Sequence, residues 1–275
     1  MEHVWTPYAR RGITSHQEKW AKINKHAKLP LFPFAVEVYV ISDYSHTEGL
    51  RKMSLKPFEY MKTYMYKVSL QLQQLEPPIL IALVGYNTTS QKYADYVSFT
   101  DAGDLDADGT VIKLRHYAGN STSAQQSDLV ILFTQSQIVD VSANVGAPEM
   151  LGIAPFEGIC SEYSVAVVKD EAGWYTGVHS MVHEMGHLFG SYHDGDNTSV
   201  SCPAELGYIM SPTSHGKHKD HFSTCSKAAI AKYVRSDAGG CLRSAASQRP
   251  IGINPWRYKR SRRRKRPDHD VTTAF

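Results

Sequence analysis

Twelve residues, His183 to Asp194 (HEMGHLFGSYHD), constrain this chain more tightly than any other stretch. In a helix, His183 and His187 lie four residues apart, so both imidazoles project from one face. Glu184 sits between them and reaches the same space. Gly190 can enter the left-handed region at little cost and so end the helix. The chain then turns back and brings in His193 from another direction. Three imidazoles with one coordination position left open are the donor set of a catalytic zinc ion; structural zinc usually fills all four positions and favours cysteine. Zinc held in this way lowers the pKa of its water to about 7. Glu184 is then the general base that takes the water's proton and passes it to a leaving amine. An amphipathic surface helix also carries histidines, but here five specified positions coincide with the longer H-E-x-x-H-x-x-G-x-x-H pattern.

The residues around this motif resemble the metzincin metalloproteases, and within them the adamalysin (reprolysin) family. Asp194 directly after His193 is that family's usual residue. Tyr208-Ile209-Met210-Ser211-Pro212 is similar to the Met-turn, which implies Met210 as an apolar floor beneath the metal. Pro212 stands where astacins and serralysins carry a tyrosine. Phe222 to Ser226 (FSTCS) resembles the approach to the last helix. Phe34 to Asp43 (FAVEVYVISD) resembles the first strand, and Leu151 to Cys160 (LGIAPFEGIC) the edge strand. The resemblance runs from about Phe34 to Cys241. It implies an α/β catalytic domain with a mixed, mostly parallel sheet, an active-site helix and a smaller loop-rich C-terminal subdomain. It also implies the disulfides Cys160–Cys241 and Cys202–Cys225. The cysteine count alone, four and all in the C-terminal half, indicates two disulfides in an oxidising compartment but leaves three connectivities open.

Along the chain, residues 1–33 are polar with scattered basic residues and read as a linker or propeptide remnant. Residues 34–245 read as the catalytic domain, and residues 246–275 as a basic, disordered tail. A strand over 34–42 is apolar enough to be buried on both faces. Apolar residues at 58, 61, 65, 68, 72 and 75 predict a helix that Pro77-Pro78 stops. Further strands are expected at 79–84, 129–133 and 164–168, and helices at about 110–125 and 226–235. Thr176 is the expected N-cap of the active-site helix, which runs to about Gly190. Alternating strands and helices followed by a loop-rich, disulfide-bonded half fit an α/β domain with a mixed sheet. Asp104, Asp106, Asp108 and Gly109 imitate the start of an EF-hand, but position twelve is Arg115 rather than glutamate, so an exposed acidic turn is expected.

No run of 18 apolar residues is present, so no membrane span is expected. The N-terminus lacks an apolar signal core. Even so, the sequons at Asn87, Asn120 and Asn197, together with the cysteines, place the expected protein outside the cell, with the chain a fragment or an already trimmed form of a secreted protein. Formal net charge is +3, unevenly distributed: Arg257 to Arg266 holds eight basic residues. Setting those aside with the tail acids Asp268 and Asp270 leaves 22 basic against 25 acidic residues. The tail reads as solvated, as a processing site at Arg263 to Arg266, or as a binder of acidic glycans; nucleic acid is not an expected partner.

Proteases of this class take extended peptide, which an edge strand pairs through its main chain. The resemblance implies that Gly152, Ile153 and Ala154 form that edge, with Gly152 allowing a peptide backbone to approach. Many adamalysins hold a structural Ca2+. Glu37 matches its acidic ligand, but Ser244 replaces the usual asparagine, and that departure counts against calcium. The expected function is secreted, zinc-dependent hydrolysis of peptide bonds. The alternative is a catalytically weak binding module that keeps the fold.

Overall fold

The computed structural model describes residues 2–4, 34–142, 150–213 and 216–243. The basic tail, Ser244 and, apart from residues 2–4, the expected N-terminal linker lie outside these. Strand β1, Glu2–Val4, pairs antiparallel with β3, Ile79–Thr88. β3 pairs in parallel with β2, Phe34–Ser42; β2 pairs in parallel with β5, Leu129–Thr134; and β5 pairs in parallel with β8, Val165–Lys169. The far edge is β7, Gly152–Ile153, antiparallel to β8. The six-stranded order β1-β3-β2-β5-β8-β7 is the mixed, mostly parallel sheet that was expected.

Alternation along the strands builds two cores. Val36, Val38 and Val40 of β2 and Leu129, Ile131 and Phe133 of β5 face one way. There they meet Met61, Met65, Val68 and Leu72 of helix α2, Pro57–Leu72, and Met181, Met185 and Leu188 of helix α4, Val178–Leu188. Tyr39, Ile41, Val130 and Leu132 face the other way and meet Val111 and Leu114 of helix α3, Ala107–Asn120. Helices on both faces explain why these strands are mostly apolar along both sides, with Glu37 the charged exception in β2. Helix α5, Thr224–Arg235, closes the loop-rich C-terminal part.

Helix α1, Tyr44–Lys52, had no counterpart in the sequence reading. Its interior holds Gly49 and only His46 and Leu50 are buried, so its apolar periodicity is weak. Its start signal is Asp43, whose carboxylate accepts from the His46 N–H at 2.8 Å. Thr176 is not the cap of α4. Its hydroxyl accepts from the Glu171 N–H at 2.8 Å, and the helix begins after Gly177 without a side-chain cap. Asp170 meets the need from further upstream, accepting the Gly177 N–H at 2.9 Å. The acidic turn expected to be exposed is the start of α3, where Asp104, Asp106 and Asp108 are instead half-buried. Asp106 is its N-cap and accepts the Gly109 N–H, and Asp108 lies in the first turn, where carboxylates suit the helix dipole. A two-residue parallel pair, β4 (Leu105–Asp106) with β6 (Ile138–Val139), anchors that turn.

Candidate metal centre and active site

Helix α4 presents His183 and His187 one turn apart, and both are fully buried. It ends in a Schellman motif. Gly190 takes φ +79°, its N–H donates to the His187 carbonyl, and the Ser191 N–H donates to the Gly186 carbonyl, each at 2.9 Å. The positive φ is where Gly190 is needed. A Cβ there would also meet the Glu157 and Tyr233 side chains at 3.2 Å. The reversal carries His193 back over the helix. The three Nε2 atoms then lie 3.0 Å (His183–His187), 3.1 Å (His187–His193) and 3.2 Å (His183–His193) apart.

This geometry fits one cation. His183 Nδ1–H donates to the Ile209 carbonyl at 2.6 Å, and His187 Nδ1–H donates to the Ser191 carbonyl at 2.9 Å. With the protons of these two rings on Nδ1, their Nε2 lone pairs point at each other and at His193 Nε2. Such a trio is repulsive until a positive charge sits among them. Tetrahedral zinc with about 2.0–2.1 Å bonds needs nitrogens about 3.3 Å apart, close to what is seen. Burial, and after it the neighbouring imidazoles, keep the His183 pKa well below its ordinary value; burial and His193 lower that of His187 to about 3. All three rings are thus held in the neutral form that binds metal. Among the described residues they are the group of three or more side chains able to share an ion.

Glu184 is fully buried, and neither carboxylate oxygen has a hydrogen-bond partner. Burial pushes its carboxyl well above the usual range. A dication among the three imidazoles would oppose that shift by favouring the charged form. Two buried oxygens without a protein partner keep the capacity to accept from a proton-bearing ligand.

The Met-turn acts on the centre through its backbone as much as through its side chain. The Ile209 carbonyl orients His183, and the Met210 carbonyl accepts the Asp194 N–H at 2.8 Å. Asp194 is buried, and its Oδ1 accepts from the Ser223 hydroxyl at 2.5 Å and the Ser226 hydroxyl at 3.3 Å, tying His193 to the start of α5. Met210 is fully buried against Gly186, where an added Cβ would overlap its Sδ. Gly186 was missed because it is an unspecified position of the motif; only the packed Met210 reveals its role. Gly152 and Ile153 form β7, and Ala154 follows it, fully buried.

Both implied disulfides are present, Cys160–Cys241 and Cys202–Cys225. Glu37 is buried in β2 and its N–H donates to the Asp128 carboxylate at 3.0 Å, a second acid that the sequence reading passed over. Of the sequons, Asn120 and Asn197 are exposed, whereas Asn87 lies within β3 with its Oδ1 buried.

Residues 106–246, just over half of the chain, match the profile of the reprolysin (M12B) family of zinc metalloproteases. The chain belongs to that family. This reprolysin is 28% identical over 207 residues to the venom metalloproteinase BumaMPs1 of Olivierus martensii, an alignment spanning 72% of this chain and 52% of that protein. It is 25% identical over 227 residues to the antarease-like venom metalloproteinase TserMP_B of Tityus serrulatus, spanning 75% of this chain and 95% of that one. Over 95 residues it is 35% identical to the Mus musculus protein "a disintegrin and metalloproteinase with thrombospondin motifs 18", spanning 34% of this chain and 8% of that one. The chain therefore spans about half the length of BumaMPs1 and a small part of the thrombospondin-motif protein.

Proposed function

We propose that this reprolysin is an extracellular zinc endopeptidase, with residues 34–245 as its catalytic unit. The observation that supports this most directly is the convergence of three imidazole Nε2 atoms beside a buried glutamate with two unpartnered oxygens. His183, His187 and His193 hold the metal, and the carbonyls of Ile209 and Ser191 fix two of the rings. The metal, when bound, polarises the scissile carbonyl and makes hydroxide available at neutral pH. Glu184 takes the proton of the attacking water and delivers it to the amine nitrogen as the C–N bond breaks. Extended peptide pairs with the outer edge of β7, for which the described residues provide no strand partner. An oxidising compartment is supported by the two disulfides, and the exposure of the Asn120 and Asn197 sequons supports glycans there. Among the described residues no helix is long and apolar enough to cross a membrane.

The test is a pair of variants. Glu184→Gln should retain one zinc per chain while its cleavage of a peptide library falls by about 10² or more. His187→Ala should lose the metal. Normal cleavage by Glu184→Gln would overturn the assigned mechanism. A zinc-loaded wild-type protein that cleaves nothing yet binds a partner would favour the binding module.

A further inference from the structure

The edge strand meets the centre at one point that the motif does not specify. A Cβ built on Gly152 would lie 2.7 Å from Glu184 Oε1, 2.9 Å from its Cγ and 3.0 Å from its Cδ. These are closer than carbon approaches any of those atoms without overlap, so the glutamate's carboxyl group occupies the space that a side chain at 152 would fill. The contact runs out of the plane of the sheet. Side chains stand roughly perpendicular to a strand's hydrogen-bonding plane, whereas a peptide added to the outer edge of β7 would lie in that plane. A substituent at 152 would therefore press on Glu184 rather than on a paired peptide. Gly152 has an ordinary φ, so no backbone strain demands a glycine there. What demands it is the space.

We infer that Gly152 is a positioning residue for Glu184: its missing side chain is the seat of the carboxylate, and it fixes where that carboxylate stands relative to the three imidazoles. This rests on the endopeptidase reading for its consequence in catalysis, but the contact itself does not. Because the contact involves the Cγ and carboxyl group of Glu184 and none of its backbone, an added methyl group would move the carboxylate without breaking the fold. Any larger substituent would displace it further. His183 and His187, whose Nδ1 atoms are held by backbone carbonyls elsewhere, would keep their places.

The experiment compares Gly152→Ala in two backgrounds, the wild-type chain and Glu184→Ala, each loaded with zinc. Thermal midpoint, zinc content and, for a peptide that the wild type cleaves, kcat and KM are measured. Gly152→Ala should keep one zinc per chain, lower kcat by about a hundredfold, as expected when a reacting group is displaced by about 1 Å, and leave KM within about threefold. It should lower the midpoint by a few degrees when Glu184 is present and not when residue 184 is alanine, since the two positions share one space. The double variant Gly152→Ala/Glu184→Asp, with a shorter acid, should lose less activity than the two single losses combined predict. An unchanged kcat, a raised KM at constant kcat, or an equal midpoint shift in both backgrounds would each overturn the inference. If the wild type cleaves no peptide, the endopeptidase reading fails while the midpoint comparison still decides the contact.

Discussion

At the scale of single residues, the centre depends on groups that cannot change size or protonation. Gly186 and Met210 share one space. Gly186→Ala is expected to cost about 1–3 kcal/mol, as overpacking in a closed core does. Urea unfolding should show this as a lower midpoint, together with weaker zinc retention against a chelator. Protonation is constrained as closely. The His187 pKa falls from 6.5 to about 3 through burial and His193, and that of His183 moves the same way. In the metal-free protein the unfolded chain therefore binds more protons than the folded one between about pH 3 and 6.5. The stabilisation is full above pH 6.5 and is lost as pH falls toward 3. His187 contributes a slope of about 1.4 kcal/mol per pH unit inside that window, and His183 acts in the same direction. The melting temperature of chelator-treated protein should fall steadily on acidification below pH 6.5, and less steeply in His187→Leu. Equal slopes would refute the linkage.

At the scale of elements, α4 is held at both ends by segments distant in sequence. Its C-terminal carbonyls accept from Glu157 and Ile159, whose own carbonyls lie 2.9 and 3.0 Å from the Tyr233 hydroxyl. Its N-terminal approach rests on Asp170, fully buried, which accepts from Gly177 N–H, Tyr60 hydroxyl (2.7 Å) and His46 Nε2–H (3.0 Å). The Ser42 hydroxyl donates to the other nitrogen of His46 at 2.6 Å. Ser42, His46 and Asp170 thus form a hydroxyl–imidazole–carboxylate chain, but all are at most 1% exposed, so the chain braces β2, α1 and α4 and admits no substrate. Asp170→Asn puts an amide donor against existing donors. Chemical denaturation should register a loss of about 1–3 kcal/mol, with the denaturant slope unchanged.

At the scale of the whole molecule, the two disulfides pin the loop-rich part that carries His193 and Met210. Cys160–Cys241 spans 81 residues and Cys202–Cys225 spans 23. If loop entropy dominates, replacing the first pair with serine should cost more than replacing the second, about 4–5 against 3 kcal/mol, and calorimetry of the two variants would rank them. The amino-acid sequence alone determined that three histidines converge beside a glutamate on a helix ended by glycine, because helical periodicity and one left-handed residue are local properties. It also determined the alternating order of strands and helices, because burial on both faces leaves a continuous apolar run. Helix α1 escaped it, having two buried side chains to mark it. Only the tertiary structure decided what surrounds those ligands. Asp170 replaced Thr176 at the start of α4, Ile209 and Ser191 lent carbonyls to the imidazoles, Gly186 made room for Met210, and Gly152 made room for Glu184. Apart from that with Ser191, these contacts join residues 7 to 32 positions apart, and steric exclusion or a carbonyl's direction at that range depends on where the chain returns in space, which no local pattern encodes.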